Sequence, residues 1–293
     1  MASAFTDDLR LAHVLADDAD ALTMERFKAL DLHVMTKPDL TPVTDADQAV
    51  EASIRRTLSR ARTRDSVYGE EEGVTGPATS SAGAPRQWVV DPIDGTKNFV
   101  RGVPVWATLI ALVVEEEVKV GLVSAPALNR RWWASVGDGA WSGKSLLRAS
   151  RCGVSDVSRL EDASLSYSSM GGWEERDRLE DFVSLTRRCW RTRAYGDFWS
   201  YVLLAEGAVD LAAEPELELY DMAALDVIVR ESGGMFTSLE GTPGPFGGNA
   251  LASNGRLHDQ ALAFLGSMPG RGPERGTEQE PGSVHHLDTF RRG

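Results

Sequence analysis

The sequence is poor in thiols, in apolar runs and in positive charge, and each shortage removes a class of protein. Two cysteines in 293 residues, Cys152 and Cys189, form no Cys-x-x-Cys pair. That excludes a disulfide framework and a thiolate zinc site, and leaves two reduced buried thiols. No apolar stretch reaches transmembrane length. The first residues lack a cationic segment followed by an apolar one, so a cytoplasmic protein without a secretory leader is expected. Lys and Arg total 31 against 44 Asp and Glu, a formal charge of -13, which argues against nucleic-acid or acidic-membrane partners.

Several catalytic signatures are missing as well. There is no His-Glu-x-x-His for a zinc hydrolase and no Gly-x-Ser-x-Gly elbow. A phospho-aspartate enzyme needs an apolar strand leading into Asp-x-Asp-x-Thr/Val. Here Asp45-Ala46-Asp47-Gln48-Ala49 supplies only the first half and runs into a helical pattern. Gly241 to Gly248 is glycine-rich but lacks the Lys-Ser/Thr of a nucleotide loop.

What is present is an ordinary globular composition, 42% hydrophobic, over a length that fits one large domain or two packed subdomains. Thr6 is placed to cap a first helix in which Leu11, Leu15, Ala19 and Leu22 share a face. A second helix is predicted from Thr44 to Ala61, with Val50, Ile54 and Leu58 at four-residue spacing. Residues 75–85, rich in Gly, Ala, Ser and Pro, predict a mobile loop. Strands follow at 88–90, 105–114, 118–124 and 132–136, with Glu115-Glu116-Glu117 turning between the second and third. Beyond residue 150 the pattern changes. Helical stretches at 175–190, 197–207 and 221–232 alternate with apolar runs at 163–167, 208–212, 234–239 and 249–252, as in an α/β unit. The expected organisation is an N-terminal α+β subdomain (1–149), a C-terminal α/β subdomain (150–267) and a disordered tail (268–293). The tail's Arg271, Arg275, Arg291 and Arg292 balance Glu274, Glu278, Glu280 and Asp288, so the negative excess lies in the folded part. His285 and His286 read as ordinary tail residues.

The most informative segment is Asp91-Pro92-Ile93-Asp94-Gly95-Thr96, directly after a predicted strand. Two carboxylates three residues apart, with proline fixing the chain between them, suit a cation; the Gly-Thr that follows lets backbone approach an anion. An Asx-type turn is the plainer alternative. Gly69-Glu70-Glu71 on its own reads as a solvated acidic edge, Asp221 as the N-cap of a helix ended by Gly233-Gly234, and Asp47 as the acidic partner of Thr44 in a capping arrangement.

Taken together, the Gly-Glu-Glu run, the hexapeptide and the later Asp-helix-Gly-Gly resemble the inositol monophosphatase family of metal-dependent phosphatases, over about residues 5–265. The resemblance implies a layered α/β/α/β/α sandwich, usually as a homodimer. It implies Mg2+ held by Glu70, Asp91, Asp94, Asp221 and the carbonyl of Ile93. It implies catalytic roles for Asp47, Thr96 and Glu70, with Asp47 and Thr96 positioning the attacking water. The backbone of Gly95 and Thr96 would bind phosphate, and Lys37 would lie near the metals. Bound cations also explain how an acidic chain can accept a phosphate monoester.

The runs Thr36–Asp47, Asn98–Trp106, Tyr195–Tyr201 and Glu214–Glu216 further resemble the histidinol-phosphate phosphatases of that family, and Tyr220 stands where inositol enzymes usually carry Trp. On that resemblance Arg193, Asp197, Glu214 and Asp221 are the expected substrate contacts, together with Gly95 and Thr96. An acidic, aromatic pocket suits a substrate with an ammonium group and an imidazole. For Asp197 a helix N-cap, and for Arg193 a surface position, remain the plain alternatives; Trp106, Trp199 and Tyr201 divide between core and pocket. The competing substrate class is inositol 1-phosphate or a broader range of sugar phosphates.

Overall fold

Side chains alternate between two cores along the central strands. Trp88 and Val90 point into one, Val89 into the other; Ile110 and Leu112 oppose Leu109, Ala111 and Val113 in the same way. A sheet buried on both faces must carry such continuous apolar runs. The computed structural model describes residues 4–38, 41–77 and 85–266. The expected tail, most of the expected loop at 75–85, and Asp39 and Leu40 lie outside the described residues.

Helix α1 (Thr6–Arg26) is followed by the short pair β1 (Val34–Thr36) and β2 (Pro42–Thr44), then α2 (Asp45–Ala61). Strands β3 (Ser66–Gly69), β4 (Gly73–Thr75) and β5 (Arg86–Asp94) lead to the small helix α3 (Thr96–Val100). Five more strands follow: β6 (Ala107–Val114), β7 (Glu117–Ala125), β8 (Arg130–Ser135), β9 (Gly139–Ser145) and β10 (Arg148–Arg151). The second half comprises β11 (Ser164–Ser166), α4 (Gly171–Glu175), α5 (Leu179–Thr186), β12 (Arg191–Arg193), α6 (Asp197–Ala205), β13 (Leu211–Glu214), α7 (Leu219–Glu231), β14 (Met235–Thr237), β15 (Ala250–Ser253) and α8 (His258–Leu265).

The large sheet has eight strands in the order β10-β9-β8-β7-β6-β5-β3-β4, and the small one five in the order β12-β11-β13-β15-β14. Helices α1 and α2 pack on one face of the large sheet; α6 and α7 lie between the two sheets; α5 and α8 cover the far side of the small one. These are the five layers expected from the sequence. Gly121 on β7 is where the central layer closes. A Cβ there would meet the carbonyl oxygen of Ala224 and Cγ1 of Val227 on α7 at 2.5 Å, so only glycine lets this helix lie so near the sheet.

Thr44 caps α2 and Asp47 completes a capping box, as the spacing predicts. The turn between β6 and β7 places Glu115 and Glu116 both at positive φ, which matches the twist of a tight hairpin. Helix α7 ends before Gly233, whose φ is +93°.

Four expectations are corrected. Thr6 is the first helical residue of α1, not its cap; Phe5 occupies that place. The helix expected at 175–190 is two short ones, parted where Asp177 takes a left-handed φ of +55°; the reversal stacks Trp173 on Phe182 with ring centroids 4.2 Å apart. Asp221 does not open its helix. Glu218 is the N-cap, and Asp221, in the first turn, accepts the Glu218 N–H at 2.7 Å. Asp197 is likewise no cap: Gly196 takes that place, and Asp197 begins α6 with φ at +47°.

Candidate active site

Asp91 and Asp94 would face opposite sides of a regular strand, being three residues apart. The register against β6 prevents this. Asp91 pairs with Leu109 and Asp94 with Ala107, so three residues on β5 span two on β6, and the irregularity returns Asp94 to the side of Asp91. Glu70 and Glu71 follow β3, which runs parallel to β5 with Gly69 beside Val90. Asp47 comes from the first turn of α2 and Asp221 from the first turn of α7.

Two groups of carboxylates result. In one, Asp47, Glu70 and Glu71 each offer an oxygen within 4.8 Å of the others; Asp91, Asp94 and Asp221 do the same in the second. The groups adjoin, since Asp91 feels the charge of Glu70 more strongly than that of Asp94. Burial is the first cause that raises the carboxyls of Asp91, Asp94, Asp47 and Asp221, and neighbouring negative charge adds to it; Asp47 and Asp221 are each pushed up to about 7.

Lys37 is the cation that the protein itself supplies. Its Nζ lies 2.8 Å from Glu70 and 2.7 Å from Glu71. Burial alone would lower its pKa, but the hydrogen bonds to the two glutamates outweigh that and raise it. No hydrogen-bond partner among the described residues reaches the buried Oδ1 of Asp47 or of Asp91. Buried anionic oxygens without donors are costly unless a cation meets them. The donor set is all oxygen, without His or Cys, as Mg2+ or another hard cation prefers. The residues therefore fit the metal that the sequence led us to expect.

Thr96 donates its hydroxyl to the Ile93 carbonyl at 2.9 Å, so these two expected site residues are joined. Gly95 precedes α3 with φ at +82°; a Cβ there would lie 3.1 Å from both Asp197 Oδ2 and the Val105 carbonyl. Asn98 bridges those same two atoms, donating to Val105 at 2.9 Å and to Asp197 at 3.0 Å. The left-handed conformation of Asp197 is thus held from the Asn98 side and by its own N–H, which donates to Ser168 Oγ at 2.9 Å.

Beside the carboxylates opens a cavity of about 600 Å³, lined in part by Asp94, Asp197, Tyr201, Glu214 and Asp221. Its wall adds three more acids, Glu175, Glu216 and Glu218, against a single lysine, Lys97. Glu214 is buried with one oxygen unpartnered, and so is the Tyr201 hydroxyl. Burial, then the charges of Asp197 and Asp221, pushes Glu214 up to about 8 against opposing hydrogen bonds from Ser168. Arg193 is not brought here: it lies exposed on the edge strand β12 and donates to the Thr192 carbonyl. Trp106 belongs to a small core with Ile93 and Phe99. Glu71 and Ser168 were not singled out from sequence. The doubled acid of Gly69-Glu70-Glu71 was the available signal for the first, whereas nothing local marks Ser168.

This layered fold and its converging carboxylates define a phosphatase. The model of the inositol monophosphatase family matches residues 7–265, and the chain belongs to that family. It is 65% identical to a histidinol-phosphatase of Streptomyces coelicolor over 265 residues, covering 89% of this chain and 97% of that one. It is 59% identical to a histidinol-phosphatase of Mycobacterium tuberculosis, covering 88% and 98%. Among solved structures, an inositol monophosphatase from Zymomonas mobilis superposes with a TM-score of 0.78 at 31% identity, covering 90% of this chain and 99% of that one.

Proposed function

We propose that this phosphatase hydrolyses L-histidinol phosphate to L-histidinol and phosphate, using Mg2+ and water without a covalent intermediate. The observation that carries the substrate is the acidic cavity. Asp197, Glu214 and the acids around them suit a leaving group that bears an ammonium and an imidazole, which an inositol ring does not. The names of the two relatives at 65% and 59% identity point the same way.

Glu70, Asp91, Asp94, Asp221 and the Ile93 carbonyl would hold the metal. Mg2+ bound there supplies charge neutralisation at the phosphoryl oxygens and acidifies water. Asp47, with its unpartnered Oδ1, accepts a hydrogen bond from the attacking water, and the Thr96 hydroxyl fixes that water's direction. The backbone N–H groups of Gly95 and Thr96 hold the phosphate. Water adds to phosphorus and gives up a proton, the bond from phosphorus to the substrate oxygen breaks, and that oxygen takes a proton from solvent and leaves as the alcohol.

The same reading carries a cytoplasmic homodimer, which rests on the family resemblance. It also divides the chain near residue 150, in keeping with a large sheet whose last strand ends at Arg151 and a small one whose first begins at Ser164. No helix of the described residues is long and apolar enough to cross a membrane.

The test is phosphate release from histidinol phosphate, inositol 1-phosphate and fructose 1,6-bisphosphate, with Mg2+ and with EDTA. A preference for histidinol phosphate that EDTA abolishes is the expected result. Metal-dependent activity that favours another ester keeps the mechanism and discards the substrate; equal release in EDTA discards the metal.

A further inference from the structure

The turn that carries Glu70 and Glu71 is suspended from a buried ion pair on α2. Glu51, fully buried, lies one helical turn beyond Asp47. Its Oε2 accepts the Glu71 N–H at 2.8 Å, and its Oε1 accepts the Glu72 N–H at 2.9 Å. Arg55, a further turn along, donates from Nε and Nη2 to Oε1 at 2.9 and 2.7 Å. The same guanidinium donates to the Gly73 carbonyl at 2.6 Å and to the Thr75 hydroxyl, so it also grips β4.

Gly69 belongs to this device. A Cβ there would lie 2.4 Å from the Glu51 carboxyl carbon, so the bare backbone is what lets the carboxylate reach the turn.

Burial is the first cause that raises the Glu71 carboxyl, with the charge of Glu70 and, least, that of Glu51 adding to it. Glutamine cannot serve, because all four partners of Glu51 are N–H donors and an amide NH2 would face one of them. The carboxylate is therefore required by the geometry of the turn it holds.

We infer that Glu51, clamped by Arg55, is a positioning residue that sets the affinity for the divalent cation by fixing Glu70 and Glu71 against Asp47 on the same helix. The inference rests on the metal reading above. Partners of this kind, one shell out from a metal, typically change affinity or activity by about 10- to 100-fold when replaced.

The experiment is calorimetric titration of substrate-free protein with Mg2+, alongside the Mg2+ dependence of hydrolysis. Glu51→Gln is expected to weaken Mg2+ binding by about 10- to 100-fold while kcat at saturating Mg2+ stays within about threefold. Arg55→Lys, which keeps the charge and loses the fork, is expected to give a smaller loss in the same direction and serves if Glu51→Gln does not fold. Leu58→Ala, in the α2 core, controls for destabilisation and should lower Tm without moving the Mg2+ affinity. Unchanged Mg2+ binding in Glu51→Gln and Arg55→Lys, or an equal loss in Leu58→Ala, overturns the inference alone. Wild-type protein that binds no Mg2+ overturns the metal reading and this inference with it.

Discussion

The Asp94 carboxylate accepts the backbone N–H of Phe198 at 2.6 Å. A carboxylate at the end of a strand in the large sheet is thereby fixed by the first turn of α6, a helix of the layer between the sheets. Asp94→Asn keeps an oxygen for that N–H and removes the charge. Turnover is expected to fall by more than the ~100-fold that loss of an outer partner brings, with little change in Tm measured without metal. Steady-state assays across a Mg2+ series check this; near-wild-type activity at moderate Mg2+ would remove Asp94 from the ligand set.

Glu214 should govern both substrate choice and its pH dependence. Pushed up to about 8, it ionises just above neutrality, and a cationic substrate prefers it ionised. kcat/KM for histidinol phosphate is expected to climb with pH through about 8. Glu214→Gln should flatten that limb and cost roughly 10- to 100-fold, the worth of a charge-assisted hydrogen bond, while inositol 1-phosphate is affected less. The stability sign is the reverse. A carboxyl raised from 4.5 holds more protons folded than unfolded between pH 4.5 and 8, so it costs stability as pH rises through that window. Glu214→Gln should raise Tm at pH 8.5 and leave it unchanged at pH 4.

His13 predicts acid sensitivity. It is buried against Trp133, and its Nδ1 meets the Arg131 guanidinium at 3.2 Å, which requires an uncharged ring. Burial, helped by Arg131, lowers it to about 4. The unfolded chain then binds the extra proton between pH 6.5 and 4, so stability is lost as pH falls through that range, on the order of 3 kcal/mol in all. His13→Asn should flatten this part of a denaturant-unfolding profile taken from pH 7.5 to 4. An unaltered profile would move the effect to other groups.

Gly121→Ala should be costly at a distance from the chemistry. The added methyl meets α7 at 2.5 Å, an overpacking of the kind that costs about 1–3 kcal/mol. Thermal unfolding should show a drop of roughly 2–12 °C for a chain of this size. Because α7 carries Asp221, the variant should also need more Mg2+ for half-maximal activity. Wild-type stability would mean that the helix can shift freely on the sheet.

The sequence disclosed the site unevenly, for physical reasons. Asp91 and Asp94 were legible because six consecutive residues carry both acids, the proline and the turn, and the central strands because Trp88 to Val90 and Ala107 to Val114 are buried on both faces. Strands β9 and β10 escaped notice because, past Trp141, they are polar segments at the end of the sheet, β10 its edge strand, without a clean alternation. The break at Asp177 was hidden in an otherwise helical pattern, since only the Trp173–Phe182 stack calls for a reversal there. Lys37 was expected near the acids only through the family resemblance, and Glu71 had the doubled acid as its signal; Ser168 takes its role from Asp197, 29 residues away on another element, and no local pattern marks such a meeting.

Asp221 reaches the site on α7, which lies across strands β5 to β9 of the large sheet, every one of them earlier in the chain. During synthesis the upstream carboxylates are therefore made long before the residue that completes their group. Divalent cation can reward only a chain that has already been extended past Glu231 and docked that helix. A product truncated in the second half keeps the carboxylates of Asp47, Glu70, Glu71, Asp91 and Asp94 but lacks the sixth, Asp221, that completes the second group. On the metal reading proposed above, the cation would act late, as a seal on finished molecules, and shorter chains would go without its protection.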